Sequence, residues 1–143
     1  MTTATFSAAA TESTSTRVRR PILRTTIISG LTSAAAVTLV VVATRAAGVS
    51  YEIDGEMIPL AGFAQMTAVG AILGGVLAKL CSRRSSGATA RRRFLQITTG
   101  LTIASCVPSV ALPQDAATKV ALVATHVLAA AIIVPALARR TAR

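Results

Sequence analysis

Apolar positions along this chain come in four long runs separated by charge, and the first neither alternates with period two nor carries a polar face. Between Arg24 and Arg45 lie only uncharged residues, Thr25 to Thr44, among them Ala34-Ala-Ala-Val-Thr-Leu-Val-Val-Val-Ala43. As a helix this run is about 30 Å long, the thickness of a bilayer's hydrocarbon core. Apolar side chains all round are what a helix surrounded by lipid requires. Comparable runs lie between Glu56 and Lys79, Arg93 and Asp115, and Lys119 and Arg139. The pattern predicts an all-α integral membrane four-helix bundle with spans at about 25–45, 58–79, 94–113 and 119–138. Pro59 suits the start of the second helix, where a missing N–H has no intrahelical acceptor to lose. The connections are then an outer loop at 46–57, a cytoplasmic loop at 80–93 and an outer loop at 114–118. The transmembrane domain covers 23–140. Residues 1–22, rich in Ser, Thr and Ala, form a tail expected to be disordered.

Charge adds an orientation. The 143 residues are 52% hydrophobic and 14% charged, yet the formal net charge is +10. A soluble domain carries about 25% charged residues, and a disordered basic tail would not reach a mean hydropathy of +0.64. The basic residues cluster at one membrane face. Arg17, Arg19, Arg20 and Arg24 precede the first span, Lys79, Arg83, Arg84, Arg91, Arg92 and Arg93 lie between the second and third, and Arg139, Arg140 and Arg143 follow the fourth. The opposite face has Arg45 and Lys119 with Glu52, Asp54, Glu56 and Asp115. The positive-inside rule puts both termini in the cytoplasm, as an even number of spans requires, and the expected location is the bacterial cytoplasmic membrane. Arg83, Arg84, Arg91, Arg92, Arg93, Arg139 and Arg140 are then placed to contact anionic lipid headgroups. Nucleic acid is not needed to explain the charge.

Two address signals are imitated. The first run follows a basic stretch, but its leader is long and its apolar length exceeds a signal-peptide h-region, so it reads as an uncleaved span. Arg91-Arg92-Arg93-Phe94-Leu95-Gln96 resembles a twin-arginine export signal but lies mid-chain, where such addresses do not act.

The apolar interior lacks Asp, Glu, Lys and Arg, the groups on which ion-coupled transporters and pumps depend. His126 is the exception, about 10 Å beneath the outer surface by helical rise. Gln65 and Ser105 fall at similar depth, so Gln65, Ser105 and His126 are expected as a buried polar cluster. His126 is read first as a hydrogen-bonded packing residue and second as the lining of a cavity open to the outer face, where an imidazole acts as a pH-sensitive gate. Cys81 and Cys106 are roughly 18 Å apart in depth, too far for a disulfide. No nucleophile–base pair, metal-ligand set or cofactor motif is present, so the expectation is a non-enzymatic protein without cofactor or metal.

Small residues carry the packing. Gly70, Gly74 and Ala78 form a ridge on the second span with Gly75 beside it, and Gly30 lies in a small strip of the first. Such residues let helix backbones approach closely, either within the bundle, the preferred reading, or between copies. Pro108 and Pro135 interrupt the third and fourth helices. In the outer loop Tyr51 and Ile53 alternate with Glu52 and Asp54 ahead of an Asp54-Gly55 turn signal. The segment is expected as a short hairpin or a loop lying on the bundle's outer end; its acids offer ligands to a divalent cation, but a solvated loop is the preferred reading over a cation site. Pairing of Arg45 with one of these acids would contribute little at an exposed site.

Gly48-Val-Ser-Tyr-Glu-Ile, Ile58-Pro-Leu-Ala-Gly-Phe-Ala, Gly70-Ala-Ile-Leu-Gly-Gly-Val-Leu-Ala, and His126 followed by Ile133-Val-Pro-Ala-Leu-Ala resemble the small actinobacterial membrane proteins grouped as domain of unknown function 6069. The resemblance spans about residues 22–140. It implies a four-helix membrane domain and supplies no activity, catalytic residue or cofactor. The leading expectation is a structural or partner-binding membrane subunit, with a homo-oligomer or another membrane protein as partner. The second is a small permease or channel-like protein with its path around His126. The orientation is testable in a background lacking both native cysteines. Ser50→Cys should react with a membrane-impermeant maleimide on intact cells, and Ser86→Cys should react only after lysis.

Overall fold

In a computed structural model, residues 22–112 and 115–141 are described, so the expected N-terminal tail, Ile22 apart, lies outside them. These residues form α1 (Ile22–Ala46), a hairpin of β1 (Glu52–Ile53) and β2 (Glu56–Met57), α2 (Leu60–Arg84), α3 (Gly87–Ala111) and α4 (Ala116–Thr141). Each helix is long and apolar enough to cross a membrane, as the four runs predict. The bundle is not square. α2 and α4 touch across its middle; α1 packs against both, and α3 leans on α4 with a smaller contact to α2.

The helices outrun the apolar spans at the basic end. The predicted loop at 80–93 shrinks to Ser85 and Ser86, both extended (φ −151° and −119°), before Gly87 at φ +56°. That φ is one glycine adopts without a Cβ clash. Arg83 and Arg84 thus complete α2, and Arg91, Arg92 and Arg93 lie within α3. Charge marks where the hydrocarbon ends, not where the helix ends. Arginine is a good helix former, and Ala90 and Phe94 are fully buried, so packing carries α3 through its arginines. Phe94 joins Ala71, Ala78, Cys81, Ile133, Leu137 and Ala138 in the apolar cluster at this end. Pro108 and Pro135 lie inside continuous helices.

α1 meets α2 through small side chains. Ser29, Gly30, Ser33, Val37 and Val41 form the buried face of α1, opposite Phe63, Thr67, Ala71, Gly75 and Ala78 on α2. A Cβ at Gly30 would lie 2.9 Å from the Ala71 Cβ, and one at Gly75 would lie 2.8 Å from Thr26 Cγ2. Gly74 is near α4, where a Cβ would stand 3.2 Å from Leu137 Cδ1. The predicted ridge is therefore corrected at one position: Gly70 is exposed, with nothing within 4 Å of a Cβ built there. The ridge facing α1 runs Thr67–Ala71–Gly75–Ala78, one residue over, because Phe63 and Cys81 fix the rotation of α2 by burying at either end of that stripe.

Most hydroxyls inside the spans return their protons to their own helices, with the buried Ser33 hydroxyl left without a partner. Thr26 donates to Ile22 O at 3.0 Å, Thr67 to Phe63 O at 2.8 Å and Thr98 to Phe94 O at 2.8 Å. This satisfies polar groups where lipid offers no acceptor. Close approach at Gly75 should make Gly75→Ala destabilising by about 1–3 kcal/mol. Gly70→Ala should be neutral within about 0.5 kcal/mol. Unfolding of the two variants in detergent micelles measures the difference.

Candidate functional site

The interior polar groups are arranged differently from the cluster the spacing predicts. Gln65 is exposed on α2, and the Ser105 hydroxyl donates to Thr102 O on its own helix at 2.8 Å. His126, half-buried on α4, faces Ser109 of α3 instead, with Nδ1 at 3.5 Å from Ser109 Oγ. The same nitrogen is 2.8 Å from Leu122 O, one turn back. A carbonyl only accepts, so Nδ1 is the donor in this contact. Ser109 in turn points toward Ser105 O at 3.5 Å. The spacing missed Ser109 because it compared depths alone; Ser105 and Ser109 lie one turn apart on the same α3 face, and the second reaches α4. Thr98, Thr102, Ser105 and Ser109 together make a row of hydroxyls along the least buried helix of the bundle.

The acidic end of the bundle is a built cap. Tyr51, at 0% relative exposure, is the largest fully buried side chain. It packs with Val37, Val41, Phe63, Ala121 and Leu122, and its ring meets Phe63 edge-on at 5.2 Å. Thr44 Oγ1 gives its proton to Val40 O at 2.7 Å, so it accepts from the Tyr51 hydroxyl, also at 2.7 Å. The Tyr51 amide donates to Thr118 Oγ1 at 3.3 Å, tying the loop to α4. Arg45 does not seek an acid. Its guanidinium lies 5.7 Å from the Tyr51 ring centroid and donates to Ile58 O, at the entry to α2.

The loop beyond Tyr51 is a short hairpin whose acids are exposed. Glu52 pairs with Met57 and Ile53 with Glu56, and Asp54 and Gly55 have φ of +53° and +83°. Two consecutive positive φ values are the two-residue turn that Asp-Gly favours. Tyr51 itself sits at φ +53°, an uncommon backbone for an aromatic residue, held by the bonds on its hydroxyl and amide. Asp115 caps α4 by accepting from the Thr118 amide at 2.8 Å. That bond holds its carboxyl below the ordinary value of 3.8, with the bonds from the Thr118 hydroxyl and the Ala117 and Ala116 amides also lowering it and desolvation opposing them.

Two depressions flank the hairpin. One of about 210 Å³ is lined by Ser50, Glu52, Asp54, Gly55 and Asp115. A shallower one of about 550 Å³ runs along Ile53, Asp54, Glu56, Met57, Ile58 and Pro59. Among the described residues no three His, Cys, Asp or Glu side chains converge to hold a metal ion. Cys81 and Cys106 are both free thiols, Cys81 buried at the basic end and Cys106 half-buried on α3.

The model of a family described as "Family of unknown function (DUF6069)" matches residues 17–143, and the chain belongs to that family. No curated protein and no solved structure matches it. The cap predicts a graded response. Tyr51→Phe should cost about 0.5–1.5 kcal/mol through the lost hydroxyl bond. Tyr51→Ala should cost about 3–5 kcal/mol through the cavity left among Val37, Val41 and Phe63. Unfolding in micelles reads both, and only the alanine variant should open the hairpin to protease.

Proposed function

We propose that this family member is a non-enzymatic, multi-pass subunit of the bacterial cytoplasmic membrane, with both termini inside, whose role is structural or partner-binding. The observation that carries this reading is the Tyr51 cap. Its ring fills the outer end between α1, α2 and α4, and its polar atoms are consumed by Thr44 and Thr118. A bundle closed there, and pressed together below at Gly30–Ala71 and Gly75–Thr26, supports a role as a rigid post better than one as a passage. The separation of basic and acidic residues between the two ends of the bundle supports the orientation.

A second reading, a small permease, has one observation in its favour. The hydroxyl row from Thr98 to Ser109 ends on His126, and α3, which bears it, is the helix with the fewest buried side chains over its span. Proteoliposomes separate the two. Under the structural reading, vesicles with a pH-reporting dye inside should show proton and potassium permeabilities no higher than protein-free vesicles, and His126→Ala should change neither. A pH-dependent flux abolished by His126→Ala would replace the structural reading with the permease.

A further inference from the structure

The basic end of the bundle differs from a flexible basic loop in being built on helices. Lys79 lies five residues before the end of α2 and Arg92 five residues after the start of α3. The link between these antiparallel helices is only two residues, so Lys79 and Arg92 stand level, about 8 Å back from the turn. Arg91 and Arg93 flank Arg92, and successive helical positions fan out by about 100°, spreading the three around the exposed arc of α3. All three are exposed, as are Arg83 and Arg84 at the turn itself. The buried Phe94, next in line, and Cys81, across from it, hold both helices in place beneath these charges.

The charges are left without local compensation. Among the described residues the acids are Glu52, Asp54, Glu56 and Asp115, all at the other end of the bundle. Arg93 donates to the Ser85 hydroxyl at 2.9 Å, which fixes its direction and leaves its positive charge unneutralised. Arg91, Arg92 and Arg93 also stand in the second turn of α3, whose first turn contains no acid. The positive end of that helix's dipole therefore adds to their field rather than opposing it.

Depth identifies the partner. Lys79 and Arg91–Arg93 mark the edge of the apolar spans, and Arg83 and Arg84 lie about 8 Å beyond them. Headgroups add roughly 5–8 Å to each side of the hydrocarbon core. The two tiers therefore bracket the phosphate layer of the membrane rather than project into water. We propose that this end of the bundle is a preformed receptor surface for anionic phospholipid headgroups. Lys79 and Arg91–Arg93 bind at the hydrocarbon boundary, and Arg83 and Arg84 bind from the aqueous side of the same layer. Arg139 and Arg140, ending α4 at this end of the bundle, extend the surface to a third helix. The proposal rests on the membrane-spanning fold and on neither reading of function, so flux results leave it standing or falling on its own.

The test uses the full chain reconstituted in phosphatidylcholine bilayers doped with spin-labelled phosphatidylglycerol or spin-labelled phosphatidylcholine. The protein should enrich the anionic label at its boundary, by about fivefold at a site where a headgroup meets one well-placed cation. The preference should shrink as salt is raised. Arg91→Gln/Arg92→Gln/Arg93→Gln should reduce it severalfold, and the matching three-lysine variant should retain most of it. If the glutamine variant fails to insert, Arg83→Gln/Arg84→Gln serves, with a smaller loss expected. Equal association of the two labels with the wild-type protein, or an unchanged preference in a glutamine variant that retains its helical circular dichroism, overturns the proposal. So does displacement of the bound anionic lipid by a single-stranded RNA oligonucleotide, which would assign the surface to nucleic acid.

Discussion

In hydrocarbon, two apolar helix surfaces gain nothing by leaving lipid for one another, so association rests on close van der Waals fit. Here that fit is concentrated where α1 crosses α2. Gly30 receives Ala71, Gly75 receives Thr26, and neither pair has room for another methyl group. With Phe63 and Cys81 fixing the rotation of α2 at either end of this seam, the helix presents Gly74 to Leu137 and Ile133 of α4. Most of the remaining contacts follow. With α1, α2 and α4 interlocked, α3 is left on the opposite side of the bundle from α1, held chiefly by α4 and by its short link to α2.

Two apolar clusters divide the work along the bundle. The one at the basic end joins Cys81, Phe94 and Leu137, tying α2, α3 and α4 together beneath the arginines. The one at the acidic end joins Val41, Tyr51, Phe63 and Leu122, and there α3 contributes nothing to the cluster. Toward that end α3 meets α4 at the polar contact of Ser109 with His126. The single histidine thus marks a junction that lies outside both apolar clusters. Below it, large apolar side chains hold α3 in place.

The four spans and the all-α fold were legible because lipid imposes one requirement, length without charge, that a one-dimensional pattern records directly. Family membership was legible from the segments around Tyr51, Phe63 and His126. What failed did so for geometric reasons. Gln65 was grouped with Ser105 and His126 on depth, but depth leaves the rotation of each helix undetermined, and α2 turns Gln65 outward. Gly70 was placed on the packing ridge by its four-residue spacing from Gly74. A neighbouring stripe had the same spacing, and only the burial of Phe63 and Cys81 decides between them. The loop at 80–93 was drawn from its charges, whereas helix ends obey backbone chemistry, and Gly87 marks the break. Tyr51 was seen as one member of an alternating strand. That its ring closes the bundle depended on Thr118, far along the chain and silent in any local window.

That last contact also imposes an order in time. A chain emerging from its N-terminus releases α1, the hairpin and α2 into the membrane well before residue 118 exists. Until α4 arrives, the Tyr51 amide has no Thr118 hydroxyl to bond, and two of the five buried residues packed round its ring, Ala121 and Leu122, have yet to be synthesised. The cap can therefore close only once the first turns of α4 exist, whereas the cluster at the basic end also waits for Ile133, Leu137 and Ala138. The bundle is thus completed from its acidic end toward its basic end, and the tyrosine marks the arrival of the fourth helix.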